Sequence, residues 1–305
     1  MNPKIKKFID AASAVILDKP HEINLILAGL LAEGHILIED VPGVGKTTLI
    51  KTIAKLTDLQ ESRIQMTNDL LPADLLGASI FDTEKKAFVF HPGPFFAQII
   101  LVDELNRATP KTQSACLQAM EERKITLDGI THTLQKPFFV IATQNPNQQV
   151  GTFPLPESQL DRFLMKIELG YPSRSAEKQI LLGERRSSLV DQLQPIFSGA
   201  EILQLQKETQ AVFVSEPIIE YIQDLVDQTR QAQQTMSGLS PRAATHLVQA
   251  AKAWAFLQNR DRVWPEDVQA VAVPVMSHRL NPRSEIGNQS GRVIAENLLR
   301  STAVR

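Results

Sequence analysis

The segment Gly43-Val44-Gly45-Lys46-Thr47-Thr48 has the residue types and order needed to hold a phosphate chain. Glycines allow a backbone whose N–H groups curl around an anion. Lys46 then supplies a point charge for the β- and γ-phosphates, and the Thr47 hydroxyl is placed to reach Mg²⁺. A helix beginning at this point adds the positive end of its dipole. The whole candidate loop runs from Asp40 through Val41, Pro42, Gly43, Val44, Gly45, Lys46 and Thr47 to Thr48. The general pattern G-x-x-x-x-G-K-[ST] asks for glycine at position 40, where this chain carries Asp40. The competing reading is a turn with an exposed lysine. A strand before the loop and a helix after it favour phosphate binding.

A second group of acids follows at a suitable interval. The run Ile99-Ile100-Leu101-Val102 ends in Asp103-Glu104. Open α/β sheets bind ligands at the carboxyl ends of their strands, so Asp103 is placed to hold the magnesium shell and Glu104 to activate water as a general base. Alone, the pair reads equally well as solvated strand-end acids. Asn145, in Thr143-Gln144-Asn145-Pro146, can hydrogen-bond the attacking water or the γ-phosphate, or simply shape an Asn-Pro turn. Arg162, in Leu160-Asp161-Arg162-Phe163, is either a surface ion pair of small energetic value or an arginine finger acting across a subunit boundary. Arg242 follows Ser240-Pro241 in the first turn of a helix, where a cation opposes the dipole. That penalty points to an anionic partner such as a γ-phosphate, unless the side chain swings clear.

These residues need a scaffold that brings strand ends together. Short apolar runs at His35–Glu39, Arg63–Met66, Ile99–Asp103, Phe138–Ala142 and Leu164–Leu169 alternate with helical patterns. The four consecutive apolar residues from Ile99 to Val102 suit a strand buried on both faces of a parallel sheet. Leu49, Ile50, Ile53 and Leu56 share one face of a helix over Thr47–Thr57, and Thr109-Pro110 begins another. The pattern is that of an α/β doubly wound core. Two insertions interrupt it. In Asn68–Phe96, Ala78–Phe81 and Ala87–Phe90 flank the polar turn Asp82–Lys85. In Lys124–Leu134, Asp128-Gly129 marks a hairpin. After Tyr171-Pro172 the patterns are helical throughout, with starts at Ser215, at Ser240-Pro241 and, with a weak cap, at Trp264-Pro265. The expected division is 1–172 for the α/β core and 173–305 for an all-α second domain.

Composition narrows the function. A chain of 305 residues with 32 basic and 34 acidic residues, net charge −2, lacks the basic excess of a dedicated nucleic-acid binder. The single cysteine, Cys116, forms no intrachain disulfide and reads as packing. The six histidines are too dispersed for a zinc site. Lys4, Lys6 and Lys7 before Ala11–Leu17 imitate a secretory leader, but Asp10 and Asp18 make an amphipathic helix the better reading. No apolar run approaches the ~18 residues of a membrane span. The expected location is the cytoplasm.

Taken in order, the five motifs resemble Walker A, Walker B, sensor 1, arginine finger and sensor 2 of the AAA+ superfamily, with a helical lid carrying the last. More narrowly, the chain resembles the MoxR family over nearly its whole length. That likeness rests on Glu39–Thr47 (EDVPGVGKT), Asp103–Glu122 (DELNRATPKTQSACLQAMEE), Ile141–Pro146 (IATQNP), Leu155–Phe163 (LPESQLDRF) and Leu239–Ala244 (LSPRAA). Asp40 fits a family that often lacks the first glycine. Leu105 and Trp264 stand where isoleucine and threonine are usual. The resemblance implies a P-loop AAA+ core, ATP and Mg²⁺ as ligands, and a homo-oligomer, a hexameric ring with nucleotide between subunits. It implies that Arg162 acts on the neighbour's nucleotide, that Arg242 couples the lid to nucleotide state, and that 68–96 and 124–134 are the helix-2 insert and pre-sensor hairpin. It also implies chaperone-like work on protein clients, including metal insertion, with partners that often carry a von Willebrand factor A domain. Two other readings remain: a nucleotide-switched binding module, and a nucleic-acid motor, which the near-neutral charge disfavours. A kinase is disfavoured, because the sequence shows no second substrate site.

Overall fold

The computed structural model describes residues 2–41, 43–145, 151–182, 186–232, 235–283 and 290–304. Nine strands lie among them: β1 (Ile36–Glu39), β2 (Glu61–Gln65), β3 (Gly77–Asp82), β4 (Ala87–Pro92), β5 (Ile99–Asp103), β6 (Lys124–Leu127), β7 (Ile130–Thr133), β8 (Phe139–Gln144) and β9 (Met165–Ile167). Five of them form a parallel sheet in the order β2-β5-β8-β1-β9. Alternate side chains of the three central strands, β5, β8 and β1, enter different cores. Ile36 and Ile38, Ile99 and Leu101, and Phe139 and Ile141 join one cluster; Leu37, Ile100, Val102, Val140 and Ala142 join the other. Both faces are covered, which is why these strands read as unbroken apolar runs.

On one face lie α1 (Pro3–Val15), α2 (Pro20–Leu31) and α3 (Lys46–Thr57). Asn2 caps α1, whose buried Ile5, Phe8, Ile9 and Ala12 form the apolar side of the amphipathic helix expected there. On the other face lie α4 (Pro72–Leu76) and α5 (Pro110–Glu122), the latter capped by Thr109. Cys116 is buried in α5, and desolvation raises its thiol well above the ordinary range, so it is inert packing. The two insertions are hairpins, β3–β4 and β6–β7. Asp128 and Gly129 both take positive φ, 50° and 78°, as the tight turn requires. The hairpins touch through Phe90, which stacks on His132 at 4.2 Å between ring centres.

Beyond α6 (Glu157–Leu160) and β9 the chain is helical: α7 (Arg174–Leu182), α8 (Arg186–Gln192), α9 (Gly199–Gln210), α10 (Glu216–Gln231), α11 (Pro241–Leu257), α12 (Pro265–Met276) and α13 (Gly291–Ser301). Ser240 caps α11 through the Ala243 amide. Ser215 occupies the cap position of α10 without a side-chain bond. Trp264 is indeed no cap; the Asp267 carboxylate accepts its N–H instead at 2.8 Å. The lid helices pack back onto α2 and β9, so their core is continuous with the α1–α3 layer. Among the described residues no helix is long and apolar enough to cross a membrane.

Candidate functional site

Parallel strands place all their carboxyl ends on one rim. Glu39 of β1 stands opposite Gln144 of β8, and Gln65 of β2 opposite Asp103 of β5. The loop after β1 turns into α3 at this rim. Gly43 and Gly45 take φ of 87° and 91°, and a Cβ built on either would meet nothing within 4 Å. The glycines therefore answer to the backbone turn, and the open space on their side is a cradle of the kind a phosphate chain fills. Lys46 Nζ donates to the carbonyls of Asp40 and Val41 at 2.8 and 3.0 Å, and Thr47 and Thr48 lie in the first turn of α3. Asp40, which replaces the usual glycine, does not take positive φ. Its carboxylate accepts the Val41 amide at 2.8 Å and the Gly170 amide at 2.5 Å, tying the loop to the segment that leads into the lid.

The two strand-end acids are held by their neighbours. Thr143 Oγ1 donates to Asp103 Oδ1 at 2.6 Å and accepts the Glu104 amide at 2.9 Å. Arg63 pairs with Asp103 Oδ2 at 2.9 Å. Glu104 adopts φ 55°, ψ 50°, a left-handed conformation uncommon for a non-glycine residue and concentrated at functional sites. Its Oε2 receives Gln65 Nε2 at 2.8 Å and Arg107 Nε at 3.0 Å. Asn145 lies beside them: its carbonyl accepts Asn106 Nδ2 at 3.4 Å, while its own Oδ1 is buried with no hydrogen-bond partner among the described residues. A buried unpaired oxygen is costly, and it leaves Asn145 with free capacity at this rim. The hard oxygen donors Thr47 and Asp103 are of the type Mg²⁺ takes, and with the open glycine cradle they fit a metal–triphosphate.

Arg162 and Arg242 lie at the opposite rim. Arg162 Nε pairs with Glu121 Oε2 at 3.2 Å, and Arg242 pairs with Glu121 Oε1. Glu121 lies near the end of α5, which runs back from the acids to the amino ends of the strands. The two arginines line a cavity of about 340 Å³ together with Glu33, His35, Arg123 and His246. His35 immediately precedes β1 and Asp40 follows it, so the rims are roughly 15 Å apart at ~3.3 Å per residue, further than an arginine side chain reaches. Two guanidinium groups share one carboxylate here, which leaves excess positive charge facing solvent. The helix-dipole penalty at Arg242 is thus met within the chain by Glu121, not by anything at the phosphate loop.

His35 is buried at the floor of this cavity. Its Nδ1 accepts the Val140 amide at 3.1 Å and its Nε2 faces the Met120 carbonyl at 3.1 Å. Desolvation, reinforced by Arg123, lowers its pKa to about 4 despite the Met120 bond. Because this value lies below that of the unfolded chain, unfolding takes up a proton between pH ~6.5 and ~4. Stability should then fall across that window by on the order of 3 kcal/mol from this residue. Urea midpoints measured from pH 7 to 4.5 should decline less steeply in His35→Gln than in the natural chain; equal slopes would remove His35 as a source.

Of the residues singled out from sequence, the structure brings Asp40, Val41, Gly43, Val44, Gly45, Lys46, Thr47, Thr48, Asp103, Glu104 and Asn145 to one rim. Arg162 and Arg242 fall on the other, and Pro42 and Pro146 lie outside the described residues. Sequence reading missed Thr143, the clamp on both acids, although it stands within the Asn145 motif. It also missed Arg63, Gln65 and Arg279, which carry no motif and become visible only through strand register and lid docking.

Residues 35–165 match the family model described as "ATPase family associated with various cellular activities (AAA)", and 227–297 match "AAA lid domain". The Bacillus subtilis "Uncharacterized protein YeaC" is 44% identical over 97% of this chain and 93% of its own. "Chaperone MoxR1" of Mycobacterium tuberculosis is 38% identical over 90% of this chain and 75% of its own. "Protein MoxR" of Paracoccus denitrificans is 32% identical over 90% and 88%. A crystal structure of a candidate ATPase from Cytophaga hutchinsonii superposes with a TM-score of 0.90 at 41% identity, covering 99% of this chain and 95% of that one. The chain belongs to the MoxR family of AAA+ ATPases.

Proposed function

We propose that the chain binds ATP and Mg²⁺ at the carboxyl rim of its sheet and hydrolyses ATP in a homo-oligomeric ring, a hexamer, to remodel, mature or activate client proteins. One observation carries this reading: the phosphate cradle and its acids occupy one rim, and Arg162 and Arg242 the other. A chain with its arginines at the far rim completes a site only against a second copy. Arg162 then stabilises charge on the neighbour's γ-phosphate, and Arg242, held beside it on Glu121, reports lid position to that same nucleotide. The sequence-based expectation, a γ-phosphate partner for Arg242 that couples the lid to nucleotide state, left open which chain's nucleotide it meets.

Within the site, the loop from Asp40 to Thr48 cradles the phosphates and Lys46 releases its carbonyl partners to reach the β- and γ-oxygens. Thr47 and Asp103 hold Mg²⁺, which supplies charge neutralisation on the phosphates when bound. Glu104 takes a proton from the attacking water, and Asn145 orients that water by accepting from it at the unpaired Oδ1, or holds the γ-phosphate by donating from Nδ2. The division into a 1–172 core and a 173–305 lid serves the same end, with the Asp40–Gly170 bond tying the loop to the last residues of the core before the lid. The chaperone-like role draws on the name of the Mycobacterium relative. Work in the cytoplasm is the sequence-based expectation, partners with von Willebrand factor A domains follow the family likeness, and a net charge of −2 gives no support to nucleic acid as client.

A site shared between chains makes activity depend on assembly. ATP turnover per chain should rise with protein concentration, in step with ring formation followed by light scattering. Turnover per chain that stays constant down to concentrations where only monomer scatters would contradict the shared site.

A further inference from the structure

We infer that Arg279 is a positioning residue that carries Arg162 and the Arg242 helix as one rigid unit, an inference that rests on the shared-site reading above. Arg279 follows α12 and its side chain is 4% exposed. Nε donates to Asp161 Oδ1 at 2.7 Å. Nη2 donates to the carbonyl of Asp161 at 3.1 Å and to that of Phe163 at 2.6 Å. These are the residues on either side of Arg162, so one guanidinium grips the backbone around the finger. Nη2 also reaches His246 Nδ1 at 2.7 Å, and Nη1 donates to the carbonyls of Leu164, at 3.4 Å, and Val275.

The grip extends into α11. His246 lies one helical turn beyond Arg242 on the same face. Burial and the neighbouring Arg279 charge lower its pKa to about 3, so it stays neutral and accepts the Arg279 bond. The Ser240 hydroxyl that caps α11 donates to Asp161 Oδ2 at 3.0 Å. His278 adds a bond from Nε2 to the Phe163 carbonyl at 3.2 Å. Taking a guanidinium out of water costs free energy that a pair with one carboxylate often fails to recover. What this arrangement does provide is geometry, because a planar fork fixes several acceptors at once. Asp161, Phe163 and His246 converge on it, and the α11 cap joins them through Asp161. A lid movement that displaces α12 must therefore displace Arg162 and Arg242 together.

Arg279→Lys tests this. An ammonium keeps the charge but cannot reproduce the fork, so it should not rescue. Displacement of the finger by about 1 Å is expected to lower turnover by roughly 100-fold, with ATP affinity unchanged, because the phosphate loop lies on the other rim. Mixing Arg279→Lys chains with Lys46→Ala chains, which contribute intact arginines to a neighbour, should restore activity that neither has alone. A defect of folding or of the variant's own loop would not be repaired in this way. Arg162→Ala mixed with Lys46→Ala is the control. If the control mixture is dead, the shared-site reading fails and this inference falls with it. If the control recovers and the Arg279→Lys mixture does not, or if Arg279→Lys turns over normally, Arg279 has no positioning role. Should circular dichroism show Arg279→Lys unfolded, Asp161→Asn takes its place, with the same restoration expected and full unassisted activity overturning the inference.

Discussion

Replacing Arg162 by alanine is expected to cut ATP turnover by about 10³–10⁵, the range that arginine fingers supply, with little change in ATP affinity. The separation follows from the fold. Arg162 pairs with Glu121 at the amino rim, while Lys46, Thr47, Asp103 and Glu104 occupy the carboxyl rim. Removing Arg162 leaves its own chain's phosphate loop untouched and deprives only the neighbour of positive charge in the transition state. Stability should change little, because Arg162 and Glu121 are part-exposed partners and such pairs contribute ~0–1 kcal/mol. Steady-state turnover and a nucleotide titration on the same sample decide the matter. Normal turnover would return Arg162 to the role of a surface ion pair.

Glu104→Gln should lower turnover by about 10²–10⁴, the usual contribution of a positioned general base, again with ATP binding intact. The substitution is close in shape, and its carbonyl oxygen can still accept from Gln65 and Arg107, which donate to Oε2 in the natural chain. The backbone at Glu104 is set by the Thr143 clamp and the left-handed turn, neither of which needs the carboxylate charge. What is lost is the basic oxygen. The variant should accumulate as an ATP-bound assembly, usable for capturing clients by pulldown. Undiminished turnover would remove Glu104 from the chemistry.

The sheet was legible because its chemistry is local. Ile99–Val102 reads as a buried strand since alternate side chains enter two cores, and Asp128-Gly129 announces its hairpin since few residues tolerate that turn. The phosphate loop was legible for the same reason: its glycines, lysine and threonine are contiguous. Strand-end acids at Asp103-Glu104 followed from the parallel sheet. Illegible from spacing was the rim on which Arg242 falls, since that depends on where a lid helix docks 121 residues away from Glu121 in sequence. Arg242 in a first helical turn announces an unsatisfied cation without revealing its partner. Arg279 announces nothing, because its acceptors are mostly backbone carbonyls, among them those of Asp161 and Phe163, 118 and 116 positions distant. Thr143 likewise reads as an ordinary strand residue until β5 and β8 are placed side by side, when its hydroxyl meets both acids.

The most direct measurement mixes two dead proteins. Lys46→Ala chains lack the phosphate-binding lysine but keep both arginines; Arg162→Ala chains keep the loop but lack the finger. Each alone should be inactive, and the mixture should hydrolyse ATP, because sites form between an intact loop on one chain and an intact arginine rim on the next. A mixture as inactive as its components, with co-assembly demonstrated by light scattering, would contradict a catalytic site built from opposite rims of two copies.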